Sequence, residues 1–280
     1  MRPSHAIQPD IVVEELSHRY AEEGPCSIEE VSMKLYRGEC IAVLGGTGSG
    51  KTTLLLHMAG LLFPQSGRVE VNRRVGLLFQ RPEDQLFKPT VEEDVAFGPR
   101  MQGLQGDELN ERVRYGCRVA GLDYRRFAGR SIHTLSGGEK RKVALAGVLA
   151  MKPEVLLLDE PTAGLDPMTR REFLRMIREL NGTGISIVLI THHIEVADAL
   201  AQHFLVLHRG QVLFHGDKTS FYDNAPLLER LAIRPPFVRR LTRRLRSEGW
   251  DFSNLSDSSS EESLLETIRG QLQGPAGGRG

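Results

Sequence analysis

The chain has 280 residues, with 36 lysines and arginines against 36 aspartates and glutamates, so its formal net charge at pH 7 is zero. That balance gives no general attraction to nucleic acid, and the apolar runs are too short to cross a bilayer. Cys26, Cys40 and Cys117 show no paired spacing, which favours a reduced, cytoplasmic compartment. If the protein works at a membrane, we expect another chain to supply the membrane part.

The first segment of the chain is predicted to form a small antiparallel sheet. Residues 1–10 are expected to be a flexible leader, and apolar residues then recur at strand spacing over residues 11–16 and 31–35. Tyr20 follows the first of these strands. The spacing leaves two interpretations open for Tyr20: a half-exposed aromatic side chain at a strand end, or a stacking platform for a flat ring such as adenine.

A phosphate loop follows the first fully apolar strand. Residues 40–44 are apolar, residues 45–52 spell Gly-Gly-Thr-Gly-Ser-Gly-Lys-Thr, and a helical pattern then runs to about Leu62. This order and spacing match the strand–loop–helix unit G-x-x-x-x-G-K-[ST]. Its backbone N–H groups and helix N-terminus bind phosphate oxygens, Lys51 can reach the β- and γ-phosphates, and the Thr52 hydroxyl can bind Mg²⁺. Residues 45–52 are called the phosphate loop below.

The next strand is predicted to bring a glutamine to the same edge of the sheet. Residues 75–79 are predicted to form a buried parallel strand, which places Gln80 at the carboxyl end where ligands bind in such sheets. The polar loop that follows, residues 81–87, is called the coupling segment below. Strand patterns are then absent, and residues 88–150 are predicted to form a helical subdomain.

The helical subdomain ends in a second glycine-rich helix start. Residues 135–139 spell Leu-Ser-Gly-Gly-Glu immediately before a clear helical pattern, and they are called the signature segment below. A helix start of this kind can bind an anion. The other interpretation is an ordinary helix that is capped by a serine and preceded by a glycine turn.

Two acidic residues end the next apolar strand. Asp159 and Glu160 directly follow residues 155–158, and buried carboxylates without partners are costly. A metal ion or a polarised water would account for them. Asp159 comes first off the strand and suits Mg²⁺, whereas Glu160 points toward the nucleotide.

A pair of histidines ends the strand predicted at residues 185–190. His192 directly follows the strand and a threonine, so we favour it over His193 as the functional histidine, with His193 as a solvated residue at a helix start. Further strands are predicted at residues 204–207 and 211–214.

The last part of the chain differs in composition. Residues 233–273 are predicted to form a helical extension, with an arginine-rich helix at 238–245, a Ser-rich link at 256–262 and a short helix at 263–272. Residues 274–280 are predicted to be disordered.

Taken in order, the phosphate loop, Gln80, the signature segment, Asp159–Glu160 and His192 resemble the ATP-binding-cassette (ABC) ATPases. The resemblance covers roughly residues 10–220, and the signature segment is its most specific part. It implies an α/β phosphate-loop NTPase cassette over residues 11–232. Such a cassette has a RecA-like mixed-sheet core, an antiparallel β subdomain and a helical subdomain that carries the signature.

A narrower resemblance lies on either side of the coupling segment. Residues 79–87, Phe-Gln-Arg-Pro-Glu-Asp-Gln-Leu-Phe, and residues 90–99, Thr-Val-Glu-Glu-Asp-Val-Ala-Phe-Gly-Pro, resemble the ATPase subunits of energy-coupling factor transporters. These bacterial importers take up vitamins and cobalt or nickel ions. The tail helix after Pro235 and Pro236 is similar to the C-terminal extension of that subgroup.

The resemblance implies a role for each matching residue. Glu160 would be the general base, and His192 would contact the γ-phosphate and fix the attacking water. Gln80 would belong to the same catalytic site. Mg²⁺ would be bound by Thr52 and Gln80, and through water by Asp159. Asp166 would lie at the seam between two subunits, and Ser136 and Gly138 would contact the nucleotide of a partner subunit. The implied ATP-binding residues are Tyr20, Gly45, Gly46, Thr47, Gly48, Ser49, Gly50, Lys51, Thr52, Thr53, Ser136, Gly137, Gly138 and Asp166.

The resemblance also implies partners. It predicts an ATPase on the cytoplasmic face of the cell membrane, a second ATPase subunit that is identical or related, a transmembrane coupling subunit and a membrane component that binds the cargo. The coupling segment would connect the Mg²⁺ site to the transmembrane subunit. The sequence names no cargo and does not decide between a homodimer and a heterodimer.

Three other functions agree less well with the sequence. Another type of ABC transporter is disfavoured by the run Pro-Glu-Asp-Gln at residues 82–85. An ABC ATPase acting on DNA or ribosomes would have a coiled-coil insertion or a second cassette, and the neutral charge predicts no nucleic-acid partner. A phosphate-loop kinase would leave the signature segment unexplained.

Overall fold

The computed structural model describes residues 8–251 and 261–273, so the predictions for residues 1–7, for most of the Ser-rich link and for residues 274–280 lie outside the described residues. The strands are β1 (Ile11–His18), β2 (Ile28–Leu35), β3 (Cys40–Leu44), β4 (Ser66–Val71), β5 (Val75–Leu78), β6 (Val155–Asp159), β7 (Ser186–Ile190), β8 (His203–His208) and β9 (Gln211–Asp217). The helices are α1 (Lys51–Met58), α2 (Val91–Met101), α3 (Gly106–Val119), α4 (Tyr124–Phe127), α5 (Gly137–Ala150), α6 (Pro167–Gly182), α7 (Ile194–Leu200), α8 (Lys218–Asp223), α9 (Ala225–Arg230), α10 (Phe237–Ser247) and α11 (Glu261–Gln273).

A mixed sheet forms the centre of the protein. Its strand order is β5-β6-β7-β3-β8-β9, with parallel pairing as far as β8 and an antiparallel last strand. Alternate residues of β3 face two separate apolar cores, with Ala42 in one and Val43 in the other. All five residues of β3 are therefore buried, as expected of a strand covered on both faces.

The register of the parallel strands brings the predicted site residues to one edge. Asp159 pairs with Ile190, and Val43 pairs with Ile190 from the other side of β7. The phosphate loop, the two carboxylates and the histidine pair all follow these strand ends, so they emerge side by side.

The antiparallel subdomain has the strand order β2-β1-β4. The sequence predicted β1 and β2, and the structure adds β4 as their third member. Strand β2 begins at Ile28, three positions before the predicted start, and register shifts interrupt its pairing with β1. This sheet shares an apolar core with α1 and one face of the main sheet.

The helical subdomain packs α2, α3 and α5 against one another. Helices α3 and α5 approach closely at Gly116, where a Cβ atom would lie 2.3 Å from the carbonyl oxygen of Ala146. Any larger side chain would therefore separate these two helices. The 3₁₀ turn Pro82–Gln85, within the coupling segment, packs against α5.

The C-terminal helices pack back onto the cassette. Arg239 of α10 donates a hydrogen bond to Asp198 at 3.0 Å and lies over the ring of Tyr222. Helix α10 is longer than predicted, and α8 and α9 were not predicted at all. Within the described residues, no helix is long and apolar enough to cross a membrane.

Candidate functional site

The phosphate loop joins β3 to α1 through two glycines that no other residue could replace without strain. Gly45 has φ 149°, and a Cβ there would lie 2.3 Å from the carbonyl oxygen of Leu207. Gly50, which precedes α1, has φ 101°, and a Cβ there would lie 2.4 Å from the carbonyl oxygen of Ser27. The tight loop directs the N-terminus of α1 toward the carboxyl edge of the sheet, which favours a bound anion.

Lys51 is folded over the phosphate loop. Its Nζ donates hydrogen bonds to the carbonyl oxygens of Gly45 and Gly46, both at 2.8 Å. Partial burial lowers the pKa of Lys51, while the nearby Glu160 and Asp159 carboxylates oppose that shift. The ammonium group is therefore held at the place where a phosphate bound by the loop would lie.

Asp159 and Thr52 meet across the site. The Thr52 hydroxyl donates a hydrogen bond to Asp159 Oδ2 at 3.3 Å, and Asp159 is only 6% exposed. Burial raises the pKa of Asp159, and the bond from Thr52 partly offsets this. A hydroxyl beside a buried carboxylate suits Mg²⁺, which keeps several waters and uses few protein ligands. No cluster of three or more acidic, histidine or cysteine ligands occurs in residues 8–251 and 261–273, so water and phosphate oxygens would complete the shell.

Glu160 and His192 form a direct pair. Glu160 Oε1 lies 2.7 Å from His192 Nδ1, while the other carboxylate oxygen is buried without a hydrogen-bond partner among the described residues. Glu160 has φ 44°, in the left-handed region, and its N–H donates to the carbonyl oxygen of Ile190 at 2.9 Å. A buried carboxylate oxygen with no partner is available to accept a proton from water. His193 has no contact with Glu160 comparable to that of His192, and its ring packs on His192.

Gln80 emerges at the same edge but remains exposed. Leu78 of β5 pairs with Leu158 of β6, so Gln80 and Glu160 leave their strands at equivalent positions. No hydrogen bond among the described residues joins Gln80 to Thr52 or Asp159. A role for Gln80 in binding the cation therefore remains a prediction.

Tyr20 is 66% exposed and is held from two sides. Its hydroxyl lies 3.2 Å from Thr53 Oγ1, and the His18 ring packs edge-on at a centroid distance of 4.8 Å. Thr53 is buried, and its Oγ1 also lies 2.7 Å from Ser27 Oγ. The Thr53 side chain thus supports Tyr20, and any contact of Thr53 with phosphate would come from its backbone.

The signature segment caps α5 and is exposed at Ser136, whereas its first residue, Leu135, is buried. Ser136 Oγ accepts a hydrogen bond from Glu139 N–H at 3.3 Å, and Ser136 N–H donates to Glu139 Oε2 at 2.8 Å. Arg130 pairs with the same carboxylate, and these bonds lower the pKa of Glu139. Because Oγ acts as an acceptor in this bond, the Ser136 hydroxyl can still donate one hydrogen bond of its own. Gly137 and Gly138 are likewise exposed.

Asp166 is exposed and serves as the N-cap of α6. Its carboxylate accepts hydrogen bonds from the backbone of Met168 and Thr169 at 2.9 and 3.1 Å. The Thr169 hydroxyl is the main cause of the lowered pKa of Asp166. The structure thus gives Asp166 a capping role, and its predicted place at a subunit seam is not tested within one chain.

Other residues of the site carried no role in the sequence interpretation. Gln85 ties the coupling segment to β5, because its side chain accepts from Phe79 N–H at 3.2 Å and donates to the carbonyl oxygen of Leu77 at 3.3 Å. Asp94 Oδ1 accepts from the N–H groups of Phe87 and Lys88, both at 3.0 Å. Both residues lie inside the runs at 79–87 and 90–99, on which the resemblance to energy-coupling factor ATPases rests. That resemblance is the sequence signal that could have identified them.

Comparison with known proteins decides the family. A family model described as ABC transporter matches residues 28–163. The chain is 41% identical over 262 residues to the energy-coupling factor transporter ATP-binding protein EcfA2 of Clostridium tetani, covering 87% of this chain and 91% of that protein. The chain belongs to the ABC transporter ATP-binding family.

Other relatives of this ABC ATPase agree in length and fold. It is 38% identical to the energy-coupling factor transporter ATP-binding protein EcfA of Methanothermobacter thermautotrophicus, covering 93% of this chain and 88% of that protein. It resembles the solved structure of cbiO1 from Clostridium perfringens, part of the ABC transporter complex cbiONQ. That match has TM-score 0.70 and 34% identity over 84% of this chain and 99% of that one.

A further solved relative is the ATP-binding cassette MJ0796, a dimer in a post-hydrolysis state bound to ADP and Pi. That match has TM-score 0.66 and 26% identity, covering 74% of this chain and 98% of that one. The predicted ABC cassette fold is confirmed, as is membership of a family of ATP-binding, ATP-hydrolysing enzymes.

Proposed function

We propose that this chain is the ATP-hydrolysing subunit of an energy-coupling factor type importer, which takes up a vitamin or a cobalt or nickel ion. The observation that carries the proposal is the similarity to proteins of that name, which covers 87% and 93% of this chain for two of them. The cargo would be chosen by a separate membrane component. The subunit would work as a peripheral protein on the cytoplasmic face of the cell membrane.

The geometry supports an assignment of roles in ATP hydrolysis. The phosphate loop and Lys51 would bind the phosphates, Tyr20 would stack on adenine, and Glu160 would take a proton from the attacking water. His192, 2.7 Å from Glu160, would orient that carboxylate and contact the γ-phosphate. Thr52 and Gln80, with Asp159 through water, would hold Mg²⁺, which neutralises charge on the phosphates when bound.

Each site would be completed by a second ATPase subunit, identical or related. Three residues of the signature segment are exposed, and among the described residues no hydrogen bond or ion pair joins this segment to Lys51, Thr52 or Glu160. Ser136, Gly137 and Gly138 would therefore act on the nucleotide of the other subunit. ATP would join the two subunits and hydrolysis would release them.

The coupling segment supports contact with a transmembrane subunit. It follows Gln80, is tied to β5 by Gln85 and ends at Phe87, whose N–H donates a hydrogen bond to Asp94 of the helical subdomain. Its last residue, Phe87, is 60% exposed and packs edge-on against Phe97. An exposed aromatic side chain at the end of a segment that begins at Gln80 is suited to a partner that must respond to ATP.

Purification of the tagged chain from detergent-solubilised membranes tests the proposal. We expect a transmembrane coupling subunit and a small cargo-binding membrane protein to purify with it, and Phe87→Ala to lose both while binding ATP normally. Tyr36→Ala is the matched control, because Tyr36 is also exposed but lies between β2 and β3. Recovery of a transmembrane subunit without any cargo-binding protein would favour another type of ABC transporter. Recovery of ribosomes or nucleic acid would contradict the proposal.

A further inference from the structure

Arg141 reaches from the signature helix α5 to the segment that follows Glu160. Its Nη1 donates hydrogen bonds to the carbonyl oxygen of Pro161 at 3.0 Å and to that of Ala163 at 2.7 Å. These are charge-assisted bonds from a planar donor, which fix geometry better than neutral bonds do. Arg141 thus holds two carbonyl oxygens within three residues of Glu160.

The segment that Arg141 holds sets the position of Glu160. Glu160 lies in the left-handed region, at φ 44°, which is unfavourable for a residue with a Cβ and persists only where the surroundings hold it. The turn is closed by a hydrogen bond from Ala163 N–H to the carbonyl oxygen of Glu160 at 3.1 Å. Next to it, Thr162 is fully buried and its hydroxyl has no partner among the described residues. The Thr162 side chain therefore does not hold the turn by a hydrogen bond. Arg141, which lies on α5, provides two hydrogen bonds to the turn from outside it.

The coupling segment supports Arg141 from the other side. The 3₁₀ turn Pro82–Gln85 packs against α5, and burial lowers the pKa of Arg141 while the nearby Glu83 carboxylate partly offsets that lowering. Because a guanidinium group stays protonated in proteins, Arg141 is charged although it is half-buried. It lies where the signature helix, the coupling segment and the turn after Glu160 meet.

We propose that Arg141 is a positioning residue for ATP hydrolysis: it holds the turn at residues 161–163 so that the Glu160 carboxylate stays aimed at the attacking water. The inference rests on the proposed role of Glu160 as general base. Arg141 donates its hydrogen bonds to the turn after Glu160, so in this role its effect on the rate passes through Glu160.

A double-mutant cycle on the purified complex tests this role. We expect Arg141→Gln to lower kcat at least about tenfold, because a small displacement of a catalytic group is costly, and to leave the KM for ATP nearly unchanged. In a Glu160→Gln background, Arg141→Gln should lower kcat no further, since the group it positions is already gone. A merely structural role would instead give effects that multiply.

Arg112→Gln is the matched control. Arg112 also lies in the helical subdomain and also donates to a backbone carbonyl oxygen, that of Ala150 at 3.4 Å, but far from Glu160 in the sequence. We expect it to keep normal kcat. If Arg141→Gln is unstable, Arg141→Lys, which keeps a cation of shorter reach, replaces it in the cycle, with a smaller loss that is again absent without Glu160.

The outcomes separate the inference from the function on which it rests. A normal kcat in Arg141→Gln would overturn the inference alone. So would a double variant in which the two losses of kcat multiply, provided that Glu160→Gln by itself is slow. Near-normal turnover of Glu160→Gln would overturn both the inference and the assigned general base.

Discussion

At the scale of one residue, Lys51 shows how a positive charge is held in place beside the phosphate loop before an anion binds. Its ammonium group bonds the carbonyl oxygens of Gly45 and Gly46 and is drawn toward Asp159 and Glu160, while burial lowers its pKa. A bound phosphate would give this partly desolvated cation a charged partner. The interaction should therefore contribute to affinity more than a surface lysine could.

Replacing Lys51 by alanine should weaken ATP binding. A hydrogen bond to a charged group contributes about 1.5–3 kcal/mol, so we expect the Kd for ATP to rise roughly 10- to 150-fold. Titration calorimetry with ATP and Mg²⁺ measures the change. Lys34→Ala, at an exposed position of β2, is the control and should bind normally. An unchanged Kd for Lys51→Ala would remove Lys51 from the binding site.

At the scale of elements, the contact between α1 and β1 includes two buried histidines. The rings of His57 and His18 lie 4.8 Å apart, and His57 Nδ1 is 3.1 Å from the carbonyl oxygen of Leu62. His57 Nε2 and His18 Nδ1 have no hydrogen-bond partner among the described residues. Burial, and then the neighbouring His18, lower the pKa of His57 below its ordinary value of 6.5. A proton on His57 is therefore unfavourable in the folded protein.

The lowered pKa of His57 makes the stability of the fold depend on pH. Below pH 6.5 His57 is protonated more readily in the unfolded chain than in the folded chain. The unfolded state then binds more protons, so the free energy of unfolding decreases as the pH is lowered. Above that pH both states carry neutral His57 and the effect vanishes. We expect His57→Asn, which can keep the bond to Leu62, to reduce the loss of urea midpoint between pH 7 and pH 5. His208→Asn, exposed at the end of β8, should leave the loss unchanged, and equal slopes in all three proteins would contradict this account.

Periodicity predicted most elements but not where each one ends. Helix α1 was expected to reach about Leu62 but ends at Met58, because Gly60 takes φ 71°. Helices α8 and α9 are six residues each, too short for an apolar pattern to reveal them. The irregular end of β1 follows from Glu15, whose φ of 48° breaks the alternation on which strand prediction depends.

The sequence predicted those residues of the candidate site whose positions are determined by the ends of strands. Asp159 ends the buried parallel strand β6, Glu160 follows it and His192 comes shortly after β7, so the sheet itself brings them together. The reach of Arg141 to Pro161 and Ala163 depends on the angle between the helical subdomain and the sheet, which no local pattern contains. The capping role of Asp166 and the support of Tyr20 by Thr53 likewise required the folded structure.

At the scale of the whole molecule, the proposed function requires two half-sites on separate subdomains of the chain. One would be the phosphate loop with its carboxylates, and the other would be the signature segment, where Ser136 is exposed. A second subunit that places its signature segment over the first half-site would complete both sites at once. ATP shifts the equilibrium between separate and joined subunits only as far as it binds the joined state more tightly, and in this proposal the γ-phosphate would supply that difference.

Glu160→Gln should separate this joining step from hydrolysis. Glutamine keeps the size of the side chain but cannot take a proton from water, so we expect kcat to fall about 10²- to 10⁴-fold while ATP still binds. With ATP and Mg²⁺ the variant should accumulate as a dimer, measured by light scattering after size-exclusion chromatography, whereas the wild type should return to monomer as ATP is consumed. Adding Ser136→Arg should keep the variant monomeric with ATP bound, because the exposed signature segment would no longer fit a second nucleotide. A dimer that survives Ser136→Arg would mean that the subunits associate through another surface, and the signature segment would lose its proposed role.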